Sequence, residues 1–193
     1  MAVNYRHVAL TGPPGRSGIG KTTLVQKIVS KLQETELPCQ GFYTQEVRQG
    51  GRRVGFNVIT LDGKTGVLAK VKADSSNRRE HRVGQYVVDV PAFESLALPF
   101  LRTQNISPHI LVLDEIGKME MFSQGFVCGV RQIMSQPNST LLITVPVPKG
   151  KPMPLVEEIR NHPDILLVNV TRENRDDDVL LKKILTTLKI SLE

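Results

Sequence analysis

Residues Gly15-Arg16-Ser17-Gly18-Ile19-Gly20-Lys21-Thr22 fit G-x-x-x-x-G-K-[ST] at every fixed position, and no other feature constrains the chain as tightly. Before the motif comes a short apolar run, His7-Val8-Ala9-Leu10-Thr11, stopped by the turn cluster Gly12-Pro13-Pro14-Gly15. After it, Leu24, Ile28 and Leu32 recur at a spacing of four, which predicts a helix from about Lys21 to Glu34. Between strand and helix, glycines let backbone N–H groups turn inward around an anion, and the helix aims its positive end at the same place. Lys21 is then expected across the β- and γ-phosphates of a nucleotide and the Thr22 hydroxyl on Mg²⁺. Gly12, Gly15, Arg16, Ser17, Gly18, Ile19, Gly20 and Thr23 make up the rest of the nucleotide-binding loop.

The remaining chain alternates apolar runs with helical patterns. Runs at 8–11, 110–113, 141–145 and 165–170, each followed by a helix or by a loop into one, predict a parallel sheet covered on both faces. Helices are expected around Phe93–Arg102, Lys118–Met134, Leu155–Arg160 and Asp176–Leu188, the last with Asp176, Asp177 and Asp178 in its first turn. Gly41–Val47 and Val54–Leu61 flank Gly50-Gly51 as a β-hairpin, Asp62-Gly63 marks a further turn, and Val83–Val90 reads as a strand stopped by Pro91. The fold class expected is therefore α/β: a three-layer P-loop NTPase-like domain, its central sheet mainly parallel, with an antiparallel β-rich insertion around residues 41–90. With 193 residues, one domain spanning 1–193 is expected.

Composition narrows the class. Apolar residues make up 40% and charged residues 23%, ordinary values for a chain with a packed core. The runs LLIT and ILLV fall far short of the ~20 residues of a membrane span. No signal-like segment opens the sequence, and two cysteines, Cys39 and Cys128, make no disulfide framework; a cytoplasmic, reducing location is expected. Much of the net charge of +6 sits in residues 41–90, where nine basic residues face five acidic ones. Such a patch suits any polyanion, from a nucleotide's phosphates to nucleic acid. The four histidines show no metal spacing with one another or with the cysteines.

The run Ile110-Leu111-Val112-Leu113 ends in Asp114-Glu115. At the C-terminal end of a parallel strand, Asp114 is placed to accept from a water on Mg²⁺. Glu115 then lies near the γ-phosphate, where it orients or deprotonates an attacking water. The alternative is that Glu115 simply favours the start of the next helix.

Further motifs run the length of the chain: Gly12-Pro13-Pro14-Gly15 with Gly20-Lys21-Thr22-Thr23, then Gly41-Phe42-Tyr43-Thr44, Glu46-Val47-Arg48 and Gly51-Arg52-Arg53-Val54-Gly55-Phe56. Val83–Asp89, Asp114–Glu120, Val156–Arg160 and Asn169–Arg175 complete the set. Together they resemble the cancer-related nucleoside-triphosphatase family of small P-loop phosphohydrolases. The resemblance implies Mg²⁺-dependent hydrolysis of ATP, GTP, CTP and UTP with little base preference, by a slow monomeric enzyme. It carries the catalytic carboxylate to Glu115, the metal-side carboxylate to Asp114 and the loop lysine to Lys21. In that family the loop is compact, with one apolar residue between Gly-Pro-Pro-Gly and Gly-Lys-Thr-Thr. Here Arg16-Ser17-Gly18 intervene, so the motif restarts at Gly15 with Gly12-Pro13-Pro14 as lead-in, or else the older anchor stays and the loop bulges.

Further candidates are weaker. Thr144 ends the strand LLIT, where it bonds the attacking water or the γ-phosphate, or is a satisfied strand-end hydroxyl. Lys149 (with Lys151) on a Pro/Gly-bounded loop supplies a cation or is solvated. Asn174 and Arg175 follow the last strand, near where a base rests in such folds. Arg52 and Arg53 on the hairpin are solvated, or reach phosphates as a built-in arginine finger. Two other functions stay open. One is a nucleotide or small-molecule kinase, with Arg78–Arg82 as a basic lid. The other is a non-catalytic nucleotide- or RNA-binding module, although only 5% of residues are aromatic and no base-stacking motif occurs, so no nucleic-acid partner and no membrane are expected.

Overall fold

In the computed structural model, residues 5–13, 18–72, 80–102, 109–136, 138–147 and 150–190 are described. In chain order they form β1 (His7–Thr11), α1 (Lys21–Gln33), β2 (Cys39–Gln49), β3 (Arg52–Thr60), β4 (Thr65–Val71), β5 (Arg82–Val83) and β6 (Tyr86–Val88). There follow α2 (Val90–Arg102), β7 (His109–Asp114), a 3₁₀ turn at Glu120–Phe122, α3 (Gln124–Met134), β8 (Ser139–Thr144), α4 (Pro154–Arg160), β9 (Ile165–Asn169) and α5 (Asp178–Ile190). The strands make one mixed sheet in the order β5-β6-β4-β3-β2-β7-β8-β1-β9.

From β2 to β9 all neighbours are parallel. Their side chains divide by alternation, as pleating requires. Val8, Leu10, Ile110, Val112 and Leu142 pack under α1 and α5 with Leu24, Ile28, Leu32, Ile184 and Leu188. Ala9, Leu111, Leu113, Leu141 and Ile143 face the other way, with Phe93 of α2, Phe126 of α3 and Ile159 of α4. Phe42 joins the second layer, its ring edge-on to Phe93 with centroids 5.7 Å apart. Gly41 beside it has φ +118°, and a Cβ there would sit 2.0 Å from the Val112 carbonyl oxygen; the close approach of β2 to β7 requires glycine.

The β-rich region does not enter the parallel array. It extends the sheet beyond β2, and β2 belongs to both halves, parallel to β7 through Tyr43 and antiparallel to β3 from Phe42 to Gln49. Four expectations change in detail. Val83–Val90 is not one strand: Gly84 takes φ +58° and turns β5 back onto β6. Pro91 lies in the first turn of α2, where its missing N–H costs nothing. The helix expected over 118–134 is broken at Ser123, whose side chain accepts the Phe126 N–H at 3.0 Å and so starts α3 at Gln124. Asp176 and Asp177 precede α5, which has only Asp178 in its first turn. The turn at Asp62-Gly63 leads into β4, a strand the sequence pattern does not announce.

Candidate active site

The loop residues converge where β1 hands over to α1. Gly20 caps α1 in the left-handed region (φ +107°) with no side-chain cap, which leaves the first-turn N–H groups unspent. Those groups belong to Lys21, Thr22 and Thr23, which line a cavity of about 700 Å³ together with Gly12, Gly18, Ile19 and Gly20. Across it, the Lys21 ammonium stands 3.5 Å from Glu115 Oε2, and the lysine side chain is only 16% exposed. Backbone bonds hold the carboxylate side: the Ile116 N–H donates to the Thr144 carbonyl at 2.9 Å and the Val145 N–H to the Leu10 carbonyl at 2.9 Å.

Asp114 closes β7 with its side chain buried, and the Thr144 hydroxyl donates to its Oδ1. Its Oδ2 is buried with no hydrogen-bond partner among the described residues. Burial raises this carboxyl to about 6, against the opposing pull of the Thr144 and Thr22 hydroxyls. A buried oxygen without a partner beside the Thr22 hydroxyl is what a hard divalent cation would satisfy, so the residues present fit Mg²⁺. Deeper still, Glu120 is buried and its Oε2 accepts the Gly117 N–H at 3.0 Å. Burial pushes it up to about 8, and the neighbouring Glu115 charge adds to the shift.

Of the remaining sequence candidates, Gly15, Arg16, Ser17 and Lys149 lie outside the described residues, as do Arg78 and Arg79. Thr144 is fully buried and its hydroxyl is committed to Asp114. Asn174 folds the turn after β9, accepting the Thr171 N–H at 2.7 Å and donating to the Asn169 carbonyl at 2.9 Å. Arg175 backs the loop from outside the cavity: its Nη1 donates to the Ile19 carbonyl at 3.4 Å, and a Cβ on Gly20 would meet its Cδ at 2.9 Å.

Sequence reasoning leaves out Tyr43, Glu46 and Phe56, which with the hairpin candidate Arg53 form the far wall of the same cavity. It quotes Glu120 as part of a motif without a role. The available signal is its place three residues after Gly117, which lets a side chain reach back to that N–H.

A model of the family described as NTPase matches residues 7–185. The cancer-related nucleoside-triphosphatase of Homo sapiens is 53% identical over 191 residues, covering 96% of this chain and 98% of that protein. The nucleoside-triphosphatase THEP1 of Aquifex aeolicus is 40% identical over 189 residues, covering 94% and 98%. Among solved structures, the solution structure of a human cancer-related nucleoside triphosphatase superposes with a TM-score of 0.82 at 52% identity. It covers 97% of this chain and 100% of that one.

Proposed function

The chain belongs to the NTPase family and is a nucleoside-triphosphatase, and on that premise we propose that its β1–α1 cavity hydrolyses Mg²⁺-bound nucleoside 5′-triphosphates through Glu115. The observation that carries this reading is the meeting of Lys21 and Glu115 at 3.5 Å across one cavity wall. An ammonium for the γ-phosphate and a carboxylate for the water stand side by side there.

In this reading the loop amides of Gly18 to Thr23 and the Lys21 ammonium bind and orient the β- and γ-phosphates. Thr22 and Asp114 would hold Mg²⁺, which when bound neutralises charge on the phosphate oxygens. Thr144 fixes the Asp114 carboxyl by donating to Oδ1, leaving Oδ2 free for the metal side. Glu115 accepts a proton from water as its oxygen closes on the γ-phosphorus. The bond from that phosphorus to the β–γ bridging oxygen breaks, its electron pair leaving with the nucleoside diphosphate, and the proton passes on to solvent. The catalytic and loop groups named here act on phosphates, which supports hydrolysis of ATP, GTP, CTP and UTP with low base selectivity. The family resemblance supports a monomer, and the one continuous sheet supports a single domain over 1–193. The free thiols of Cys39 and Cys128 suit the cytoplasm.

The test is phosphate release from a panel of the four triphosphates, with and without Mg²⁺, by the parent and by Glu115→Gln. The variant is expected to lose about 10²–10⁴-fold in kcat while still binding nucleotide. Turnover unchanged in Glu115→Gln would remove the assignment.

A further inference from the structure

We propose that Arg53 is a second catalytic cation, supplied in cis by the β2–β3 hairpin, which donates to the γ-phosphoryl oxygens as the bond to the bridging oxygen breaks. The proposal rests on the hydrolytic reading of the cavity given above.

The geometry begins with register. Tyr43 pairs with Asp114 at the end of β7, and β2 continues three residues further to Glu46. At roughly 3.3 Å per residue, the hairpin projects Glu46 about 10 Å past the carboxylates, over the mouth of the cavity. Opposite it on β3, Phe56 faces Glu46 and Gly55 faces Val47, but Arg53 already faces Arg48. Val54 is therefore an extra residue, a bulge. In an unbroken ladder Arg53 would point away from the face that carries Phe56. The bulge reverses it. Its guanidinium carbon lies 5.4 Å from the centroid of the Phe56 ring, and its Nη2 pairs with Glu46 Oε1. Arg53 lines the same cavity as Lys21 and Glu115.

Two features set this arginine apart from a solvated turn residue. Its side chain is only 31% exposed, and its Nε is buried with no partner among the described residues. A guanidinium has five N–H donors, and one carboxylate oxygen and a ring face leave most of them unspent. Second, Glu46 is shared. Arg48 holds its other oxygen, Oε2, through Nη2 at 2.7 Å and Nε at 3.1 Å. Arg53 can turn from Glu46 to the triphosphate without stranding a carboxylate, because Arg48 remains on it. The Phe56 ring meanwhile keeps the guanidinium plane in place. In the reaction the water oxygen bonds to the γ-phosphorus and the bridging oxygen leaves with its electron pair. One proton is released for each triphosphate cleaved. The Arg53 donors meet charge that is spread over the γ-oxygens during this exchange, where a fixed cation acts most strongly.

The experiment compares the parent, Arg53→Ala, Arg53→Lys and Glu46→Gln, with Glu115→Gln alongside. Steady-state phosphate release is measured together with the affinities of the Mg²⁺ complexes of ADP and of ADP–aluminium fluoride, which imitates the transferring phosphoryl group. Arg53→Ala is expected to lower kcat by about 10³-fold with KM and ADP affinity little changed, and to lose the extra affinity for the aluminium-fluoride complex. Arg53→Lys, which keeps the charge but not the fork, recovers only a small part. Glu46→Gln loosens the arginine and raises kcat by about 2–5-fold, and this arm decides the matter if Arg53→Ala fails to fold. The proposal falls if kcat survives in Arg53→Ala, or if ADP and ADP–aluminium fluoride weaken equally. It also falls if Glu46→Gln leaves kcat unchanged or lowers it. A silent Arg53 beside an inactive Glu115→Gln removes this proposal alone, whereas an active Glu115→Gln removes the reading beneath it.

Discussion

The strands on either side of β2 share one sheet but are held by different forces. In β1 and β8 every residue is buried, and β7 is buried from Ile110 to Asp114. Beyond β2, burial alternates or fails, and β5 has no buried residue. From β2 outward the strands and turns carry ion pairs on their exposed surface: Glu46 with Arg48 and Arg53, Asp62 with Lys64, and Glu80 with Lys72 and Arg82. The parallel half positions Lys21, Asp114 and Glu115 by packing and backbone bonds, which permit little movement. The antiparallel half holds Arg53 through a shared carboxylate and a ring face, an arrangement that tolerates a change of partner. Rigidity at the reacting carboxylates and adjustability at the incoming cation follow from the two modes of construction.

Matched truncations test the contrast most directly. Leu142 is fully buried in β8, and Leu142→Ala is expected to cost about 2–5 kcal/mol of unfolding free energy. Val87 in β6 is half-buried, and Val87→Ala should cost roughly 1 kcal/mol. Urea unfolding at constant m reads both. Equal costs would mean that the extension is as tightly cored as the parallel strands, and the contrast would break.

A smaller effect is expected from pH, because buried titratable groups belong to the parallel half. Glu120, raised from 4.5 to about 8, contributes stability that is fully present below about pH 4.5 and is lost as pH rises towards 8. His7 in β1 is buried, with its Nδ1 accepting the Leu141 N–H at 3.2 Å, and burial lowers it from 6.5 to about 4. Its contribution is present above pH 6.5 and is lost as pH falls through 4. Melting temperature should therefore fall on both sides of a mildly acidic maximum, and Glu120→Gln should flatten the alkaline limb and move the maximum to higher pH. An alkaline limb of the same slope in Glu120→Gln would place the titration elsewhere.

The same contrast governs what the sequence discloses. Apolar runs such as Ile110–Leu113 announce buried parallel strands because both faces demand hydrophobes, and the fixed spacing of Gly20-Lys21-Thr22 marks the loop. Asp114 and Glu115 are legible for the same reason, as charges ending an apolar run. The extension is less legible. Gly84 and Gln85 are hidden inside a valine-rich run that reads as one strand, and β4 is too mixed to stand out from the turn before it. Arg53 is the extreme case: its orientation depends on the bulge at Val54, and hence on pairing with β2, which no local pattern records. Glu120 is only partly legible, since its spacing from Gly117 hints that the side chain reaches back while nothing beside Met121 and Phe122 marks its own carboxyl as the buried group.

The smallest expected change concerns the phosphate loop of the rigid half. Arg16-Ser17-Gly18 lengthen the path between Gly15 and Ile19, while the far end of that path is fixed by Gly20 at the start of α1 and by Arg175 against the Ile19 carbonyl. An amide cradle works by holding several N–H groups at set positions relative to Lys21, and three added residues are expected to cost some of that positioning. A loss of about 1.4 kcal/mol in positioning already slows the reaction tenfold. Deleting the three residues is therefore expected to raise kcat/KM for ATP by up to about tenfold. Urea stability should stay unchanged, because Leu24, Ile28 and the rest of the α1 packing lie beyond the deletion. Phosphate release by the deletion variant at or below the parent rate would show that the longer loop already presents its amides correctly, and that adjustability is not confined to the antiparallel half.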